Sequence, residues 1–343
     1  MGLKLSILDQ SVIAENETAF DAFNHTIELA QKAEELGYHR FWVSEHHNAE
    51  KLAGSAPEVL IAYLLAKTRQ IRIGSGGVML QHYSPYKVAE IFNVLASLSP
   101  GRVDLGLGKA PGGLPLSTKA LQQEYAEKPK ELWEKLVDLK KFVYDTIEPY
   151  DPFYGLKAEP VPNTPPELFL LGASSSSAKL AGELGYSFVF AQFINSEKKI
   201  LNEAFDEFSH LQKRKKSQPI SFILALSVIV ADTEEEAKAL AANSKIVKVH
   251  LQSGKTVTVG SEEQAELFAK QANESYRIEL QEANILYGTK ETVREKLLHL
   301  QNIYDLEETI IVTPVQNFEK RLKSYLLLSE AFSEIALPIK SRN

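Results

Sequence analysis

Eight short apolar runs, each long enough for one buried strand, are separated along this chain of 343 residues by segments with helical periodicity. No other feature restricts the fold as much. A strand joined through a helix to the next strand pairs parallel to it, whereas antiparallel neighbours need only tight turns. The runs are Leu3–Leu8, Arg40–Ser44, Ile71–Gly74, Val103–Gly108, Leu168–Leu171, Ser187–Phe190, Ile220–Val230 and Thr309–Val312. Between the first two, Thr18 fits a helix N-cap with Asp21 three residues on, and Phe23, Ile27, Ala30 and Ala33 follow at helical spacing. Pro57 opens a second helix and Pro100-Gly101 stops a third.

The rhythm breaks twice. A Pro- and Tyr-rich excursion, 148–166, follows the fourth run and its helix, and a long stretch follows the seventh. There, 234–253 and 290–304 read as helices around a polar segment, 254–287. The pattern predicts an α/β protein: a single (β/α)8 TIM barrel spanning 1–343, with insertions after strands 4 and 7. The competitor, a doubly wound open sheet, usually carries a glycine fingerprint after its first strand, where this chain has Asp9-Gln10-Ser11.

Several function classes drop out. A net charge of -7 argues against a nucleic-acid partner, which would need a basic face. The absence of cysteine excludes disulfides, thiolate nucleophiles and sulfur-ligated metals. No Walker loop or Gly-x-Ser-x-Gly elbow supports NTPase or esterase chemistry. Neither a signal peptide nor an apolar stretch of the ~20 residues a membrane helix needs is visible. The expectation is a cytoplasmic protein without membrane contact.

In a barrel the catalytic side chains stand where strands end and their loops begin. Those ends are Asp9-Gln10, Glu45-His46-His47, Ser75-Gly76-Gly77, Gly108-Lys109, Gly172-Ala173-Ser174 and Gln192-Phe193. His46 and His47 leave a strand on opposite sides and have no His-x-His partner elsewhere, so the reading assigns no metal. An imidazole titrating near neutrality serves better as a general base or hydrogen-bond donor, and a purely structural histidine is the alternative. The stretch from Gly172 to Ala178 stands between a strand and a helix starting near Ser176, where free N–H groups and hydroxyls suit a phosphate, with Lys109 as countercharge. A serine N-cap without any ligand reads equally well.

Three motifs, Trp42-Val43-Ser44-Glu45-His46-His47, Ile73-Gly74-Ser75-Gly76-Gly77-Val78 and Gly101-Arg102-Val103-Asp104-Leu105-Gly106-Leu107-Gly108, occur in this order. With Gly172 to Ala178 and Gly288-Thr289-Lys290-Glu291, the chain resembles the bacterial-luciferase-like flavin-dependent monooxygenases over nearly its whole length. The resemblance implies a barrel that binds FMN, reduced by a separate NAD(P)H:flavin reductase. In it a C4a-peroxyflavin formed with O2 oxidises an aldehyde, ketone or similar small organic substrate. It assigns His46 the catalytic role. It places Gly76 and Gly77 where the family often has a non-proline cis peptide beneath the flavin, and Lys109, Ser174, Ser175 and Ser177 at phosphate-binding positions. Lys109 stands where arginine is common, keeping the charge but losing the bidentate fork. Ala173 replaces the acidic residue of luciferase itself, so light emission is not implied. The segment 254–287 corresponds to a variable, mobile active-site lid, and a homodimer is expected. A deazaflavin (F420)-dependent hydride-transfer reductase and a non-catalytic flavin-binding barrel are the alternatives on the same fold.

Overall fold

Every one of the eight apolar runs is a strand, and their pairing closes on itself. The computed structural model describes residues 2–122, 130–214, 220–242, 244–254, 256–259 and 261–333. Strands β1 (Lys4–Asp9), β2 (Arg40–Val43), β3 (Arg72–Val78), β4 (Val103–Gly108), β5 (Glu167–Gly172), β6 (Ser187–Ala191) and β7 (Phe222–Val230) pair in sequence order, all parallel. Strand β12 (Glu308–Val312) lies between β7 and β1 and completes the eight-stranded barrel. The outer ring includes α1 (Ala19–Glu35), α2 (Pro57–Lys67), α3 (Pro85–Leu98), α5 (Leu132–Tyr144), α6 (Ser175–Leu184), α7 (Lys198–Arg214), α10 (Lys290–Tyr304) and α11 (Phe318–Ser333). The predicted start of α1 holds: Thr18 and Asp21 form a reciprocal capping box, satisfying two otherwise unpaired N–H groups.

Two apolar layers stabilise the barrel. The larger lies between strands and helices and includes Phe41, Ile61, Phe92, Phe188 and Phe208. The smaller fills the interior with Leu8, Trp42, Phe169, Val189, Ile223, Ala225, Ile310 and Val312, so the barrel is a packed core rather than a pore. Below this layer, at the N-terminal end of the strands, a buried ionic cluster closes the bottom. Arg40 Nε donates to Glu308 at 2.9 Å, and Arg40 Nη1 donates to Asp104 at 2.9 Å and Glu167 at 3.0 Å. Asp104 also accepts from Trp42 Nε1 at 2.9 Å and from Arg72. Each buried charge thus meets opposite charge and hydrogen bonds, the condition under which burial is tolerated.

The structure departs from the helical reading of 234–253. Only α8 (Glu234–Ala241) is helical there, and the chain then forms β8 (Lys245–Leu251). The sequence Ile246, Val247, Val249 and Leu251 carries β-branched residues, and the burial pattern alternates, so packing favours a strand. Strand β8 sits between β9 (Thr256–Val259) and β10 (Tyr276–Glu282) in an antiparallel sheet covered by α9 (Glu262–Ala272). Val247, Val249, Leu251, Ala265 and Phe268 form a separate small core with Leu114, which lies just before α4 (Pro115–Leu121) in the insertion after β4. The two insertions therefore pack against one another. Strand β11 (Ile285–Gly288) returns to the barrel and pairs parallel with the outer half of β7, beyond the end of β6.

Candidate active site

The predicted residues fall at the C-terminal ends of four consecutive strands, β2, β3, β4 and β5. His46 leaves β2 two residues after Ser44, which strand alternation turns to the same side as Trp42 and the barrel interior. Ser44 Oγ lies 3.0 Å from His46 Nδ1, and the His46 N–H donates to Gly54 O at 2.8 Å. With Nδ1 engaged, Nε2 is the ring atom left for a ligand. Burial, then the neighbouring His47, push the His46 pKa down to about 4, although Glu45 pulls the other way. His46 as a residue is partly exposed, at the barrel rim rather than in the core. At neutral pH it is uncharged and can accept a proton.

Glu45 and His47 turn away to a separate network. Glu45 is buried and accepts from the Met79 N–H at 3.1 Å and from Tyr83 Oη at 2.8 Å. His47 Nε2 lies 2.7 Å from Glu45 Oε1. Burial and the Glu45 carboxylate raise the Tyr83 pKa, which keeps its hydroxyl a donor. The His47 N–H donates to Gly112 O at 2.7 Å, and His82 Nε2 lies 2.7 Å from Pro111 O, so the histidine loop and the β4–α4 loop are tied together. Among the described residues no group of three His, Cys, Asp or Glu side chains is placed to hold a metal ion.

Strand β3 continues through the glycines that the sequence placed at the strand end. The Gly76-Gly77 peptide is cis, and the β3–β4 register shifts between Ser75 and Val78. Ser75 Oγ spans the irregularity, donating to Gly106 O at 2.8 Å and accepting from the Gly106 N–H at 3.1 Å. A Cβ on Gly106 would stand 2.1 Å from Ser75 O, and one on Gly77 would stand 2.7 Å from Gly106 O. Backbone alone can occupy this close approach.

Lys109, the residue after β4, is exposed and makes no ion pair within 4 Å among the described residues. On the adjacent strand end, Ser174 caps α6 by accepting from the Ser177 N–H at 3.3 Å, and Ser175 is the first helical residue. Ser174 Oγ lies 3.0 Å from both Ser176 Oγ and Ser177 Oγ. A Cβ on Gly172 would meet Ser177 Cβ at 2.5 Å, so glycine there lets the hydroxyl cluster sit against β5. The result is a helix N-terminus with convergent hydroxyls, next to the strand end that carries Lys109, a suitable cradle for a phosphate.

Sequence reasoning did not single out Ser44 or Tyr83. Ser44 was recoverable, since alternation sets it two positions from His46. Tyr83 carried no local signal, because its contact with Glu45 spans 38 residues.

A sequence profile described as luciferase-like monooxygenase matches residues 3–306. The chain is 50% identical over 330 residues to N-acetyl-S-alkylcysteine monooxygenase of Bacillus subtilis (strain 168), covering 96% of this chain and 98% of that one. Among solved structures it superposes on apo-MsnO8 with a TM-score of 0.78 and 33% identity, covering 96% of this chain and 98% of that chain. The fold also matches the oxygenating constituent of 3,6-diketocamphane monooxygenase from Pseudomonas putida, solved in complex with FMN. That match has a TM-score of 0.71 and 20% identity, covering 99% of this chain and 100% of that one.

Proposed function

This chain belongs to the luciferase-like monooxygenase family, and from that premise we propose that it uses reduced FMN and O2 to oxygenate a small organic molecule. The observation that carries the reading is His46: an imidazole at the barrel mouth, engaged at Nδ1 by Ser44 and without a hydrogen bond at Nε2 among the described residues. Lys109, Ser174, Ser175 and Ser177 would hold the FMN phosphate, and Gly76-Gly77, without side chains, would leave room for the ring. When bound, reduced FMN supplies the two electrons that let one oxygen atom enter the substrate while the other leaves as water. His46 would accept or return a proton at Nε2. Its lowered pKa keeps it in the accepting form at pH 7.

For the substrate, the similarity to N-acetyl-S-alkylcysteine monooxygenase favours an alkyl thioether on an N-acylated amino acid over an aldehyde or ketone. A separate NAD(P)H:flavin reductase would deliver the reduced flavin. We also read the protein as a homodimer. Helix α2 is apolar on nearly every side, and Val59 and Tyr63 on it, with Val94 and Leu98 on α3, remain exposed.

The test is anaerobic loading with reduced FMN and N-acetyl-S-butylcysteine, followed by ¹⁸O2. One labelled atom per oxygenated product is expected. Flavin reoxidation at the free-solution rate with substrate untouched would refute the reading, and much tighter binding of F420 than of FMN would point instead to hydride transfer.

A further inference from the structure

On the far side of the barrel mouth from His46, the wall has a seam. Strand β6 pairs with β7 as far as Ala191↔Ala225, and β11 takes over the same edge only from Ile285↔Ser227. Leu226 lies between the two pairings. A cavity of about 260 Å³ occupies this seam, lined by Gln192, Phe193, Leu226, Leu286, Leu300 and the exposed Lys296. A second space of about 520 Å³ shares Leu286, Lys296 and Leu300 and opens outward beside Thr292, Glu295 and His299. Phe193 also packs against the interior layer containing Trp42 and Phe169, so the inner end of the seam adjoins the barrel's own core.

Two polar groups in the seam are incompletely used. Gln192 Oε1 is shielded from solvent and accepts no hydrogen bond among the described residues. Lys296 Nζ donates to Tyr287 O at 3.1 Å and stands over the Tyr287 ring, but has no carboxylate within 4 Å among the described residues. Glu234 lies close enough for their charges to interact without forming a pair. A buried acceptor calls for an N–H or O–H donor, a partly satisfied ammonium calls for an anion, and the leucines call for an aliphatic chain.

We propose that the β6–β11 seam binds the carboxylate-bearing end of an N-acylated amino acid with an aliphatic side chain, through Lys296 and Gln192. The carboxylate meets Lys296, the amide N–H donates to Gln192 Oε1, and the alkyl chain lies against Leu226, Leu286 and Leu300. This assignment rests on the monooxygenase reading for the identity of the ligand as substrate, but the binding site itself does not.

Calorimetric titration of the full-length protein with N-acetyl-S-butylcysteine and with its methyl ester, each with and without oxidised FMN, tests it. The acid is expected to bind about tenfold more tightly than the ester, the scale of one charge-assisted contact near the surface. Lys296→Ala should abolish that difference, Lys296→Arg should restore it, and Gln192→Leu should weaken both ligands alike. Affinity for FMN should stay unchanged in all three variants. Equal binding of acid and ester by the wild type, or an unaltered preference in Lys296→Ala, overturns the proposal. Lys296-dependent binding without any oxygenation leaves this site standing and removes the monooxygenase reading. Oxygenation with an unchanged KM in Lys296→Ala removes this site and leaves the reaction.

Discussion

The setting of His46 makes a prediction that can be measured without flavin or substrate. Burial and the nearby His47 lower its pKa from the ordinary 6.5 to about 4. The folded protein therefore binds fewer protons at this site than the unfolded chain as pH falls below 6.5. Stability contributed by the neutral ring is full above that value and is lost progressively down to about pH 4. Between pH 7 and pH 5, two such pKa values correspond to a loss of about 2 kcal/mol, and allowing for the residue's partial exposure the expected loss is about 1–2 kcal/mol. Replacing His46 by glutamine retains a hydrogen-bonding side chain of similar reach while removing the titration. Urea denaturation of both proteins at pH 7 and pH 5 should thus show the wild type losing about 1–2 kcal/mol more than His46→Gln. An NMR titration of the ring proton should give a midpoint well below 6. A midpoint at or above 6.5, with both proteins losing equal stability, would refute the neutral-base assignment and the burial argument together.

Lys109→Ala should weaken FMN binding by about 1–3 kcal/mol, followed as quenching of flavin fluorescence, because the ammonium has no competing carboxylate. Unchanged affinity would remove Lys109 from the phosphate site. Arg40→Met should cost about 3–5 kcal/mol in urea denaturation, since among the described residues it leaves the buried Glu308 carboxylate with only Ser6 Oγ at 2.5 Å and the distant His39 ring at 3.9 Å. Adding Glu308→Leu should recover more than half of that loss by removing the stranded charge. A single variant costing less than about 1 kcal/mol would show that the cluster contributes little beyond packing.

How much was legible in advance follows from the range of the interactions. Period, caps and breakers are local, and they placed all eight barrel strands, the capping box of α1 and the strand end carrying His46. The stretch 234–253 misled because a helical period and a half-buried strand can share the same apolar positions over a few residues. Only pairing with β9 and β10, and packing of Val247 and Val249 on Phe268 and Leu114, decided for β8. The close approach of β3 and β4 was likewise hidden, since glycines at a strand end do not show which neighbouring backbone needs the space.

By itself the sequence determined the barrel class, the absence of thiol chemistry, and which residues stand at strand ends, because each of these depends on neighbours a few positions apart. Tertiary structure alone decided which side chains face one another. It set Ser44 against His46 and drew Glu45 and His47 into a network with Tyr83. It packed the insertion after β7 onto Leu114 and opened the seam beside Gln192. Closing a sheet into a barrel brings together residues tens to hundreds of positions apart, and their burial and charge then follow from the closed geometry rather than from any local pattern.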